Sequence, residues 1–176
     1  MRTNAYDYRE ARRLSMNFGM RTAVWWSISF LCTMYGVRYP ILANLGVFIA
    51  IFSVYYAGRL IRWYNQQIGY APAFNTWWLA LITYFFATLS TTLVQYIYFR
   101  FLDKGMMLQQ MEQFMQMPEY RQLLQGFSKA DIQQSMELMK SPAQMTYAAF
   151  LFNIFLGLLL SFPTMLIGII HVNKKQ

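Results

Sequence analysis

Residues 141–173, SPAQMTYAAFLFNIFLGLLLSFPTMLIGIIHVN, hold no Asp, Glu, Lys or Arg, and they decide how the rest of the chain is read. A helix rises 1.5 Å per residue, so about 20 apolar residues cross a hydrocarbon layer of roughly 30 Å. The stretch exceeds that length, and Pro142 stands near its start, where a helix has no use for the missing amide proton. Working outward, residues 22–37, 39–58 and 63–99 are equally free of charge. The chain as a whole is 57% AVILMFWYC and 19% aromatic, more apolar than an ordinary water-soluble domain. Nothing alternates with a strand period, and lipid cannot satisfy an open backbone, so helices are the expected spanning form.

These windows predict an all-α integral membrane four-helix bundle with spans at about 17–37, 40–62, 73–99 and 142–171. Pro40, like Pro142, stands where a helix starts. The first span is short unless it begins near Met16 and Arg21 snorkels back to the headgroups. Asn65, Gln66, Gln67, Gly69 and Pro72 read as the loop before span three. Residues 1–16 are expected to form a basic cytoplasmic tail that can lie flat on an anionic leaflet as an interfacial helix, and 172–176 a second basic tail. With the N-terminus inside, nine Lys and Arg fall on the cytoplasmic side and six outside, so both termini are predicted to be cytoplasmic and 100–141 external.

The external segment is patterned. Met107, Leu108, Met111, Phe114 and Met115 share one face of a helix that stops at Pro118, opposite Gln109, Gln110, Glu112, Gln113 and Gln116. A second turn carries Tyr120, Leu123, Leu124 and Phe127, and Gly126 can end it. Ser128 with Asp131 is a capping-box-like start for a third piece whose apolar face is Ile132, Met136 and Met139. The proposed partner surface is therefore Met107, Leu108, Met111, Phe114, Met115, Tyr120, Leu123, Leu124, Ile132, Met136 and Met139. Eight of the thirteen methionines lie between Met106 and Met145. Thioethers suit Cu(I), and they also make an adaptable apolar contact face, which is the commoner use.

Residues 59–78, RLIRWYNQQIGYAPAFNTWW, the end of span three, YIYFRFLD, the segment QSMELMKSP and a last span that ends in lysines together resemble a Bacteroidetes family known as domain of unknown function 4199. The resemblance covers nearly the whole chain and implies a small four-span protein of the bacterial inner membrane. It implies no catalytic residue. The family's genes stand near genes of polyprenyl-phosphate-type glycosyltransferases, which implies a partnership with a polyprenyl-linked glycan pathway.

Several chemistries lack their residues. No span carries Asp, Glu, Lys or Arg at its middle, against proton-coupled transport. The lone Cys32 cannot relay electrons by disulfide exchange, and His171 has no neighbouring partner for a metal or a triad. Ser161 and Pro163 read as helix packing and a kink, and Gly157 with Ser161 as a small-residue contact. The +8 charge is gathered at span ends, not in a nucleic-acid stripe. Within span three, Ser90, Thr91, Thr92 and Gln95 form an intramembrane polar cluster, read either as hydrogen-bonding glue between helices or as the lining of a ligand groove. Arg59 and Arg62 are expected at lipid headgroups, as phosphate contacts or snorkelling anchors. The expected partners are the bilayer and a membrane protein or a second copy, with no cofactor. Two functions follow: a non-enzymatic accessory or scaffold protein of a membrane complex, or a lipid-handling transporter or subunit of a polyprenyl-linked glycan pathway.

Overall fold

The computed structural model describes residues 8–36, 38–69, 72–103, 105–117 and 140–169, with positions 128, 134 and 137 besides. Among the described residues five helices follow in order: α1 (Tyr8–Gly36), α2 (Pro40–Ile68), α3 (Ala73–Ile97), α4 (Met106–Gln116) and α5 (Pro142–Ile169). The fold is all-helical, and among the described residues three segments are long and apolar enough to cross a membrane: Pro40–Ile68, Ala73–Leu102 and Pro142–Ile169. Pro40 sits in the first turn of α2, and Pro142 opens α5. At the other end of α2, Gly69 takes a φ of 75° and donates its N–H to the Asn65 carbonyl, the left-handed ending that favours glycine.

Helix α1 differs from the expected layout. It runs without a break from Tyr8, through the residues read as a tail, to Gly36. The reason is packing. Ala11, Ser15, Phe18, Gly19, Thr22, Ala23 and Trp26 are all buried and recur three or four residues apart, so one face is continuous from the basic segment into the apolar one. At Gly19 the helix meets α3 backbone to backbone: a Cβ there would lie 2.6 Å from Phe86 Cβ and 2.7 Å from the Thr83 carbonyl oxygen.

Four long helices pack in the cyclic order α1, α2, α5, α3, with α2 and α3 in slight mutual contact across the interior. Chain direction alternates, so Arg9, Arg12, Arg13, Arg21, Arg59 and Arg62 share one end, here the basic end. Arg38, Arg100, Asp103 and Lys140 stand at the opposite end with α4.

The distribution of side chains is inverted relative to a water-soluble protein. Among the described residues, fourteen buried side chains are polar and thirteen apolar, while Ile41, Phe48, Leu93, Phe101 and Phe152 are each more than 60% exposed. In water so large a contiguous apolar surface marks an association site; in hydrocarbon it is the ordinary exterior.

Span three ends in a π-helical turn, Tyr98–Leu102, in which the Asp103 N–H reaches the Tyr98 carbonyl at 2.9 Å. Buried Asp103 then accepts from the Met107 N–H at 3.1 Å, placing a carboxylate at the start of α4, where helix dipole and free amides favour it. The predicted amphipathic helix is α4, with Glu112 and Gln113 exposed and Met107, Leu108 and Met115 half-buried.

Candidate functional site

Lipid offers polar side chains no partner, so each that helices present must bond inward. Trp26 Nε1 donates to Ser53 Oγ at 3.0 Å, tying α1 to α2. The Trp26 ring stacks on Tyr84 of α3 with centroids 5.5 Å apart, and the Tyr84 hydroxyl meets Thr164 Oγ1 of α5 at 2.7 Å. One layer thus joins all four long helices. Gly157 admits Tyr84 into it, since a Cβ at 157 would come within 3.0 Å of Tyr84 Cβ. Toward the basic end, Asn65 Nδ2 donates to Thr76 Oγ1 and Trp77 Nε1 to Ser161 Oγ, and the helices lie close.

Beyond that layer, toward α4, the interior opens into a cavity of about 500 Å³. Trp26, Phe30 and Met34 of α1, Phe99 of the π-helical turn, Met107 of α4 and Met145, Phe152 and Leu156 of α5 supply apolar wall. Thr91, Gln95 and Asn153 supply the polar floor, and no charged side chain lines it among the described residues. Asn153 Nδ2 donates to Gln95 Oε1 at 3.0 Å, which leaves the Gln95 amide protons without a partner among the described residues. The Thr91 hydroxyl, fully buried, likewise has no partner, as does that of Thr88. An unmet buried hydroxyl costs about 1–3 kcal/mol, and the Gln95 amide is the donor that the floor presents to an acceptor. An apolar cavity with a few convergent polar groups is the usual form of a small-molecule site.

The polar cluster read in span three divides in the structure. Gln95 binds across to α5; Thr91 and Gln95 face the cavity; Thr92 bonds back to the Thr88 carbonyl at 2.8 Å within its own helix; Ser90 is half-buried and outside the cavity lining. Arg59 and Arg62 also separate. Arg62 donates through Nε and Nη2 to the Ile167 carbonyl at 3.2 and 3.1 Å, satisfying an end carbonyl of α5. Arg59 is exposed and instead shares a groove with Arg21.

Of the proposed partner surface, Met107 lines the cavity, and Leu108 and Met115 are half-buried. The side chains of Met111 and Phe114, the segment from Pro118 to Phe127, and Asp131, Ile132, Met136 and Met139 lie outside the described residues, as do His171 and the C-terminal lysines. Cys32 is half-buried and free. No cluster of three His, Cys, Asp or Glu is found among the described residues. Of the Gln95–Asn153 pair and the Trp26–Ser53 link, the sequence reading singled out Gln95 alone, because one sequence does not say which helices are neighbours.

Apolar surface outside and hydrogen-bonded polar layers inside define a helical membrane protein. The chain belongs to the family described as Protein of unknown function (DUF4199), whose sequence profile matches residues 17–168. No curated protein and no solved structure matches it.

Proposed function

We propose that this is a four-span protein of the bacterial inner membrane, with both termini cytoplasmic, which acts as an accessory component by holding an uncharged lipid in its interior. The cavity beside Thr91, Gln95 and Asn153 carries this reading. Its walls suit hydrocarbon. Its floor suits one carbonyl or ether oxygen, taken by the Gln95 amide. α1 serves as the fourth span: Met16, Met20, Val24, Ile28 and Tyr35 are exposed along it, a stretch of about 30 Å at 1.5 Å per residue, and Arg21 within it reaches back to headgroup level. Neutral lipid handling in support of a polyprenyl-linked glycan pathway is the pathway this reading favours.

The test is photocrosslinking of the purified protein in nanodiscs with a photoactivatable, clickable diacylglycerol. The expected result is labelling of the peptides that carry Thr91 and Phe152, reduced at least fivefold in a Thr91→Val, Gln95→Leu double variant. Equal labelling of the variant, or labelling spread evenly over the exterior, refutes the assignment.

A scaffold role rests on a different observation: α4 turns Gln109, Glu112 and Gln113 outward at the end opposite the basic end. Under that reading α4 docks a membrane-protein partner or a second copy. Serine at Met107, Leu108 and Met115 then releases the partner from native membranes, and unchanged crosslinked neighbours exclude it.

A further inference from the structure

Between α1 and α2, at the basic end, a groove of about 500 Å³ is lined by Phe18, Arg21, Phe52, Tyr55, Tyr56, Arg59, Leu60 and Trp63. Two guanidinium groups face one depression, and its lining contains no carboxylate. Neither Arg21 nor Arg59 has a hydrogen bond or ion pair among the described residues, in contrast to Arg62, which is spent on the end of α5. Like charges held together at the edge of hydrocarbon repel, and the repulsion is relieved by an anion or by water.

We propose that Arg21 and Arg59 clamp the phosphate of an anionic membrane phospholipid, with an acyl chain laid along the aromatic wall of α2. Three observations fix the occupant. The first is charge: guanidinium matches phosphate with paired, directional donors, and the clamp has two such groups. The second is depth. Arg59 stands nineteen residues beyond Pro40, about 28 Å along α2. That separation is close to one hydrocarbon thickness of about 30 Å, so the clamp lies at headgroup level when Pro40 lies at the other surface.

The third is what adjoins the clamp. Trp25, Phe52 and Tyr56 pack edge to face or stacked beside it, with Trp25 and Phe52 centroids 4.9 Å apart. Phe48 and Ile51, 70% and 64% exposed, continue that apolar track away from the arginines. A free phosphate ion uses none of this track; a tethered acyl chain uses all of it. Trp63 and Tyr55, half-exposed at the rim, match the aromatic preference for the membrane–water boundary. The site is independent of the interior cavity, which lies beyond the Trp26–Tyr84 layer.

Native mass spectrometry of the detergent-released full chain, equilibrated with equal dioleoyl-phosphatidylglycerol and dioleoyl-phosphatidylcholine, tests the clamp. The expected result is retention of phosphatidylglycerol at least fivefold above phosphatidylcholine, falling to parity in an Arg21→Gln, Arg59→Gln variant. Arg100→Gln, at the opposite end, leaves the preference intact. Should the glutamine pair fail to fold, the Arg21→Lys, Arg59→Lys pair is read instead: it keeps the preference with weaker retention, because point charges replace paired donors. Equal retention of both lipids by the natural chain overturns the proposal, as does full retention by a folded glutamine variant. Displacement of phosphatidylglycerol by millimolar inorganic phosphate also overturns it, since the site then reads phosphate alone.

Discussion

Replacing Gly19 with alanine tests whether α1 belongs inside the packed set of helices. The added methyl would stand 2.6 Å from Phe86 Cβ and 2.7 Å from the Thr83 carbonyl oxygen, so α1 and α3 must separate until those distances pass 3.4 Å, where ordinary contact begins. The backbone oxygen cannot rotate away as a flexible side chain can, and overpacking of this kind costs about 1–3 kcal/mol. Alanine recovers roughly 1 kcal/mol of helix propensity, a gain that any exposed glycine-to-alanine change in a helix would also show. The two effects leave a net loss of about 1 kcal/mol, and each 1.4 kcal/mol is a factor of about ten in the unfolding equilibrium. Equilibrium unfolding in mixed micelles, followed by tryptophan fluorescence, reads the change as a lower midpoint at unchanged slope. Gly157→Ala, whose nearest atom is Tyr84 Cβ at 3.0 Å, is expected to lose less. If Gly19→Ala is as stable as the natural chain or more so, α1 does not rest on α3 through this contact, and the assignment of α1 as a packed span fails with it.

Removing the buried pair Gln95 and Asn153 singly and together with leucine should give a coupling of about 0.6 kcal/mol, with an upper range near 1.7, in a double-mutant cycle; zero coupling excludes the 3.0 Å bond as helix glue. Arg62→Met removes both bonds to the Ile167 carbonyl and is expected to speed amide exchange at the end of α5 while leaving α2 protected; uniform exchange through both helices contradicts a local capping role. In a Cys32→Ser background, cysteines introduced at Arg12 and Arg38 should label from opposite faces of sealed vesicles, Arg12 from the cytoplasmic one, and labelling of both from one face rules out α1 as a span.

Helix starts were legible because charge-free length is a one-dimensional property: Pro40, Ala73 and Pro142 open helices where the sequence places them, whereas Asn65, Gln66 and Gln67, read as loop, continue α2 to Ile68, with Asn65 buried and bonded to Thr76. The amphipathic segment likewise ended where Pro118 requires, with α4 closing at Gln116. What escaped was the buried face of α1. Its small residues sit among Arg9, Arg12 and Arg13, and hydropathy averages those charges with the seam beside them, hiding the spacing of Ala11, Ser15, Gly19 and Ala23. The π-helical turn escaped for a different reason. It changes backbone bonding without a glycine or proline to mark it, yet it carries Phe99 to the cavity wall and Asp103 to the start of α4. Arg21 was visible as a charge near a span, but its pairing with Arg59 in one groove needs the fold.

The cavity's place follows from where small and bulky side chains fall along the helices. Toward the basic end, Gly19, Gly58 and Gly168 bring helices so near that a Cβ would meet Phe86, Ile167 or Thr76 within 3.0 Å. Toward α4, Gly36 and Gly46 draw α1 onto α2, and Ser29 donates to the Gly46 carbonyl at 2.8 Å, but α1 and α5 have no comparable seam. Phe30, Tyr98 and Phe99 meet edge to face there, at centroid distances of 5.3 to 5.8 Å, and wedge the helices apart. One side is locked by glycine and the other propped by aromatic rings, so the space cannot close by a small helix shift. Under the proposed function, this void of about 500 Å³, with its mostly apolar wall, is where the lipid sits. Filling it with bulk at Ala149, one of its lining residues, is therefore expected to raise stability while abolishing diacylglycerol crosslinking, and a tryptophan there that leaves crosslinking intact would place the lipid elsewhere.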